Sequence, residues 1–317
     1  MTVALFLGRR LAAVAVVLAG ISFLIFALLD ISPGSTVSAL LGGRPATPQV
    51  VHAITVKYHL NEPLLAQYWS WLGQVVRGDL GRSVQSGQTV ASMLAERLPV
   101  TAELAGLALL AVVLAGVPAG FAAGVRRGGL LDRSVSALSV MGLSTPVFAI
   151  GILLIYVFGV RLAWLPVYGG GSGFAGRLAH LALPAAALAI SLIALVVRQT
   201  RAAVLGVMEQ DYITFARARG LPSWRLLIPY ALRNSALPVL TATGLLAIYA
   251  ISGTVIVETV FSIPGLGSLL ISSIQDKDIP VAQGVALVIA LAVVLINVVV
   301  DLLALVLDPR TRHPAGG

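Results

Sequence analysis

Cysteine is absent from this 317-residue chain, which excludes a disulfide framework and a thiolate metal site while leaving the compartment open. Charge is scarce, at 11% of residues where ordinary soluble domains carry about 25%. Lysine is nearly missing. Neither Lys57 nor Lys277 sits in Gly-x-x-x-x-Gly-Lys-(Ser/Thr), so the chain builds no phosphate-cradling loop of its own. The four histidines are scattered at 52, 59, 180 and 313, and neither His-Glu-x-x-His nor Gly-x-Ser-x-Gly occurs. A membrane hydrolase would need a nucleophile, a base and an orienting group. No catalytic, cofactor or metal residue is assigned, although His52 and His59 stand seven apart on one helical face; His180, near Pro184, reads as interfacial.

What is present is apolar. Hydrophobic residues make up 58% and the mean hydropathy is +0.97. Runs near the ~20 residues that cross hydrocarbon fall at 11–29, 100–125, 135–160, 178–197, 237–257 and 281–307. Inside lipid every backbone polar group must be satisfied internally, and runs this long without alternation exclude a barrel. The expectation is an all-α, polytopic membrane protein with six transmembrane helices. Its parts are an N-terminal segment with the first span (1–29), an extracytoplasmic loop (30–99), a five-helix core (100–308) that includes a charged segment at 198–234, and a tail (309–317).

Cytosolic loops retain positive charge. With the N-terminus inside, inner segments hold 13 basic residues and outer ones eight, five of the eight in the long first loop. Both termini are therefore expected in the cytosol of a multi-pass plasma membrane protein. The net charge of +8 follows from this topology, and no nucleic-acid partner is assigned. Arg9 and Arg10 before an apolar run, with Val37-Ser38-Ala39 beyond it, resemble a signal peptide, but the run exceeds the 7–15 residues of such a segment.

The first loop is long enough to fold in part. Pro33-Gly34 and the segment 41–45 read as turns. Pro48 opens a short helix over 50–58, and 67–76, with Tyr68, Trp69, Trp71 and Leu72, reads as amphipathic. Those aromatics either sit at the headgroups or pack within the loop. In the second span Gly116, Gly120 and Gly124 lie on one face, a pattern for close helix approach, with Pro118 bending the helix beside them. Pro146 and Pro184 interrupt the third and fourth spans. Few charges fall within spans: Glu103 reads as an outer headgroup residue, and Asn297 with Asp301, on one face near the inner end of the last span, as a capping or inter-helix hydrogen-bonding pair rather than an ion site.

The segment 198–234 is the most informative. Tyr212, Phe215, Ala216 and Arg219 share a helical face, Asp211 occupies the first turn, and Gly220 supplies a left-handed stop before Leu221 and Pro222. A short helix, a sharp bend and a return helix over 224–234 make a knob suited to headgroups or to a partner's groove. In it Asp-Tyr-Ile-x-x-Ala-Arg-Ala-(Arg/Lys)-Gly-Leu at 211–221, with Leu-Arg-Asn-x-x-Leu-Pro at 232–238, resembles the coupling motif of ABC transporter permeases of the dipeptide, oligopeptide and nickel uptake branch. The motif's usual Glu-Ala-Ala opening reads Thr214-Phe215-Ala216 here. Segments 258–267 with 278–280, and 301–303 with 307–310, resemble further blocks of that branch; 58–63 and 78–83 resemble its B-type member, although Ser35-Thr36 follows Pro33-Gly34 where Asp-Pro is common.

The resemblance implies a type I ABC importer permease in a bacterial inner membrane, forming half of a pore with a homologous second permease. Two ATPase subunits, binding ATP and Mg, would dock beneath it, and an extracytoplasmic solute-binding protein would deliver peptide, or alternatively nickel or another small solute. Asp211, Tyr212, Ala216, Arg217, Ala218, Gly220 and Leu221 would couple to the ATPases. Ser144, Thr145, Ser191, Thr243, Ser252, Thr254 and Gln283 are candidate pore-lining residues. A secondary transporter is the rival, disfavoured by few intramembrane acids.

Overall fold

The computed structural model describes residues 3–31, 47–57, 61–221 and 227–307. Among these the chain is helical and contains no strand beyond an isolated bridge between Arg82 and Thr89. The helices are α1 (Val3–Ile31), α2 (Pro48–Lys57), α3 (Leu64–Val76), α4 (Val90–Ala111), α5 (Val117–Val125), α6 (Leu130–Ser144), α7 (Val147–Leu154), α8 (Gly173–Met208), α9 (Asp211–Ala218), α10 (Arg233–Val260), α11 (Leu266–Gln275) and α12 (Ile279–Leu307). Wider π-helical turns at Val112–Gly116, Ile155–Arg161 and Leu227–Leu232 join onto α5, α7 and α10.

Four stretches are long and apolar enough to cross a membrane: Val90–Val125, Gly173–Met208, Tyr230–Val260 and Ile279–Val306. A fifth crossing is made if Leu130–Ser144 and Val147–Arg161 act together, and Ala12–Ala27 of α1 is a shorter apolar helix. The third apolar run is not a straight rod, because α6 and α7 meet at 100°. Thr145 is extended, as a residue before proline is driven to be, and Pro146 has no N–H with which to continue α6. Pro184, by contrast, lies inside an unbroken α8. Pro118 stands one residue beyond the first π-helical turn, whose extra residue accommodates the proline ring against the preceding turn.

Contacts divide the chain into two units. Unit 1 comprises 1–3, Ala102–Ile263 and 295–317. Its centre is α8, thirteen of whose residues are buried, including Leu181, Leu188, Val196, Val197 and Val204. The glycine stripe read from the sequence lies against it. A Cβ on Gly116 would fall 2.9 Å from Val196, one on Gly120 2.7 Å from the Val197 carbonyl oxygen, and one on Gly124 2.8 Å from Val204. Only hydrogen allows this approach, the way lipid-embedded helices gain contact where the hydrophobic effect gives none.

Unit 2 comprises Ala4–Thr101 and 264–294. Tyr68 of α3 is buried against α1, its hydroxyl 2.8 Å from Ser22 Oγ and donating to the Ala19 carbonyl at 3.2 Å, while the Trp71 ring lies tilted against Phe26 with centroids 5.4 Å apart and Trp69 is 66% exposed. The α3 aromatics thus divide between loop packing and an outward face. Val90, Leu94, Leu266, Leu269, Val281 and Val285 form the core. Beside it Asp278, 4% exposed, accepts from the Ser83 hydroxyl and from the N–H groups of Val84 at 3.2 Å and Gln85 at 3.4 Å. Gln85 Nε2 donates to the Asp276 carbonyl at 2.7 Å. Two sequence blocks 195 residues apart are fastened together there.

Candidate functional site: the elbow after α8

At about 1.5 Å per residue, the 36 residues of α8 span roughly 54 Å, well beyond a hydrocarbon core of about 30 Å. The surplus carries the basic residues Arg198 and Arg201 and leads into the elbow. Gln210 is extended and caps α9, its carbonyl accepting from the Ile213 N–H at 3.0 Å. Asp211 in the first turn and Arg217 in the last match the helix dipole.

The end of α9 is closed by a paired backbone lock. The Gly220 N–H donates to the Arg217 carbonyl at 2.9 Å and the Leu221 N–H to the Ala216 carbonyl at 3.2 Å, the Schellman arrangement that requires a left-handed residue between them. Gly220 supplies it, with φ +74°. The predicted C-terminal stop is therefore present, bond by bond.

The face marked out by sequence spacing is largely exposed, and α9 buries a neighbouring pair. Ile213 is fully buried and Ala216 is 7% exposed, whereas Tyr212 is 41% and Phe215 70% exposed, and Arg217, Ala218 and Arg219 are exposed too. The small apolar pair at i, i+3 seats the helix on unit 1, and the aromatic and basic residues are left outside. Tyr212 is nevertheless braced: its ring lies 6.1 Å from that of Tyr230, and Asn234 Nδ2 donates to its hydroxyl at 3.5 Å and to the Tyr230 carbonyl at 2.8 Å. Of the predicted return helix over 224–234, the described part from Leu227 is helical. Residues 222–226 lie outside the described residues, and from Leu227 the chain runs through a π-helical turn directly into α10.

Beside the elbow, the connection between α5 and α6 is fastened to α8. Asp132, 4% exposed, accepts from Arg201 Nε at 2.5 Å and Nη2 at 2.9 Å, from the Gly128 N–H at 2.9 Å, and from Ser136 Oγ at 3.4 Å. Arg127 pairs with Glu209, both more than half exposed. Sequence reading missed this cluster. An acid in the first turn of α6 is its only local trace, and the partner lies 69 residues away.

The polar candidates for the pore are placed unequally. Ser144 and Thr145 are exposed at the α6–α7 bend, Thr145 Oγ1 donating to the Met141 carbonyl at 2.9 Å. Ser252 is exposed on α10, where Thr243 is half-buried and Thr254 buried; their hydroxyls donate to the Ile248, Val239 and Ile251 carbonyls. Ser191 Oγ is buried on α8 with no hydrogen-bond partner among the described residues. Gln283 belongs to unit 2, is 8% exposed and donates to the Ile25 carbonyl at 3.5 Å. Glu103 pairs with Arg177 at 2.8 Å, and His180 Nδ1 lies 2.8 Å from the Gly176 carbonyl oxygen. His52 is exposed and His59 lies outside the described residues.

Comparison with known proteins bears on this geometry. Residues 116–313 match the family described as binding-protein-dependent transport system inner membrane component, and residues 3–105 match the N-terminal component of such membrane proteins. The chain is 40% identical over 308 residues to a probable peptide ABC transporter permease protein, y4tP, of Sinorhizobium fredii, covering 96% of this chain and 98% of that one. It is 36% identical over 331 residues to the di/tripeptide transport system permease protein DppB of Pseudomonas aeruginosa, covering 97% and 98%. In fold it is similar to an inward-facing MetNI methionine ABC transporter, with TM-score 0.59 and 18% identity over 68% of this chain and 96% of that one. With the elbow, the long apolar helices and a family match over most of its length, this chain belongs to the inner membrane components of binding-protein-dependent transport systems.

Proposed function

We propose that this chain is a permease subunit of an ATP-driven importer of peptides, in a bacterial inner membrane with both termini in the cytosol. It forms half of the pore with a homologous permease, receives solute from an extracytoplasmic binding protein, and is driven by two ATPase subunits that bind ATP and Mg. The observation that carries the reading is the elbow. A helix whose Ile213 and Ala216 are seated on the protein, and whose end is fixed by Gly220, presents Tyr212, Phe215, Arg217 and Arg219 to whatever lies outside. Asp211, Ala218 and Leu221 complete the surface assigned to the ATPase. Peptide is the substrate class named for the relatives at 36–40% identity.

ATP drives such a machine only if the ATPases bind the elbow differently in two states, since a ligand shifts an equilibrium through unequal affinity alone. A seated, closed-ended helix passes that difference on, where a loose loop would absorb it. Val at 220 would have to adopt a conformation that β-branched residues avoid. Gly220→Val is therefore expected to abolish ATP-dependent peptide uptake in proteoliposomes while the subunit is still inserted. Normal uptake by that variant would refute coupling through α9. Uptake of nickel without peptide by the unaltered complex would change the substrate class.

A further inference from the structure

Two ion pairs join the α5–α6 connection to the foot of α8, and they are not equivalent. Arg127 with Glu209 is exposed, and pairs of that kind contribute little. Asp132 is buried, and the guanidinium of Arg201 meets both of its oxygens, which fixes orientation as well as distance. The Gly128 N–H and the Ser136 hydroxyl fill the remaining acceptor positions. Sliding α6 along α8 by one helical turn would break both bonds to Arg201, while those from Gly128 and Ser136 would travel with α6. Higher up, the two helices meet where a Cβ on Gly142 would fall 3.2 Å from the Ala194 Cβ, a contact between small apolar residues without the directionality of the ion pair. Arg201 is seven residues before the end of an unbroken α8, so its position follows that of the elbow. At its other end α6 stops at the 100° bend of Thr145 and Pro146.

We infer that Asp132 is a positioning residue of the transport cycle. Through Arg201 it makes the elbow, the foot of α8 and α6 a single rigid body, and so delivers elbow motion to the bend at Thr145–Pro146. The inference rests on the reading that α9 receives motion from an ATPase.

The test uses the whole complex in proteoliposomes, with uptake of labelled di- and tripeptides and ATP hydrolysis measured on the same samples. Three variants are compared: Asp132→Asn, the apolar pair Asp132→Leu with Arg201→Met, and the reversed pair Asp132→Arg with Arg201→Asp. Peptide taken up per ATP is expected to fall by at least about tenfold in the first two while hydrolysis continues, and to recover in part in the reversed pair. The apolar pair leaves no buried charge unpaired, so it decides if Asp132→Asn fails to insert. Wild-type uptake per ATP in the apolar pair would overturn the inference. Should neither neutral variant insert, a short thiol cross-linker between Arg127→Cys and Glu209→Cys in this cysteine-free chain decides: a rigid body tolerates the bridge, and loss of uptake refutes it. A wild-type complex that hydrolyses no ATP, or takes up peptide without it, would instead refute the coupling reading itself.

Discussion

Asp278 is buried and holds residues 83–85 through a hydroxyl and two backbone N–H groups. Replacing it with Ala would leave those donors without an acceptor, at about 1–3 kcal/mol for each one kept from water. Asp278→Ala is therefore expected to lower the thermal midpoint of the purified subunit and to expose 82–89 to protease; an unchanged digestion pattern would contradict this. Gly220 and Asp132 show what a sequence reveals at this scale. The need for glycine at 220 is local, set by a helix end within four residues, and it was legible. Asp132 gains its meaning from Arg201, and no spacing rule connects positions so far apart.

At the scale of elements, period and composition located the long helices, and the small-residue stripe on the second span identified the face that meets α8. Pro146 marked the interruption of the third span but not its 100° angle, and Pro184, read the same way, sits in an unbroken helix, so a proline alone does not tell a bend from a continuous rod. Nor did period and composition name the side of α9 that is buried: the spacing grouped Tyr212 and Phe215 with Ala216, and the structure buries Ile213 with Ala216. The stripe yields a controlled comparison. At Gly120 an added methyl meets the Val197 backbone, which cannot move aside, whereas at Gly206 nothing lies within 4 Å. Gly120→Ala is expected to cost about 1–3 kcal/mol, the range for overpacking, and Gly206→Ala, inside α8, to cost nothing or to stabilise by up to about 1 kcal/mol, as alanine is the better helix former. Equal thermal midpoints in detergent would mean that α5 and α8 do not pack this closely.

For the whole molecule, the excess of basic residues on one side sets the expected orientation, and two exposed aromatics suit its measurement. Trp69 is 66% and Phe215 70% exposed, and the chain has no cysteine to confuse labelling. A membrane-impermeant maleimide applied to intact spheroplasts is expected to label Trp69→Cys and to reach Phe215→Cys only after lysis. The opposite pattern would invert the topology and remove the elbow from the ATPases. The division into two units was not visible in the sequence, since each is assembled from segments far apart along the chain.

Continuity in α8 also sets a gearing. Since α8 runs unbroken from Gly173 to Met208, through Pro184, a tilt imposed at one end would be carried toward the other. A swing of about 10° about the midpoint of a rod roughly 54 Å long carries its tips about 5 Å in opposite directions. On the coupling proposed above, a push under Met208 would be inverted at Arg177, where a half-exposed ion pair with Glu103 would yield at little energetic cost.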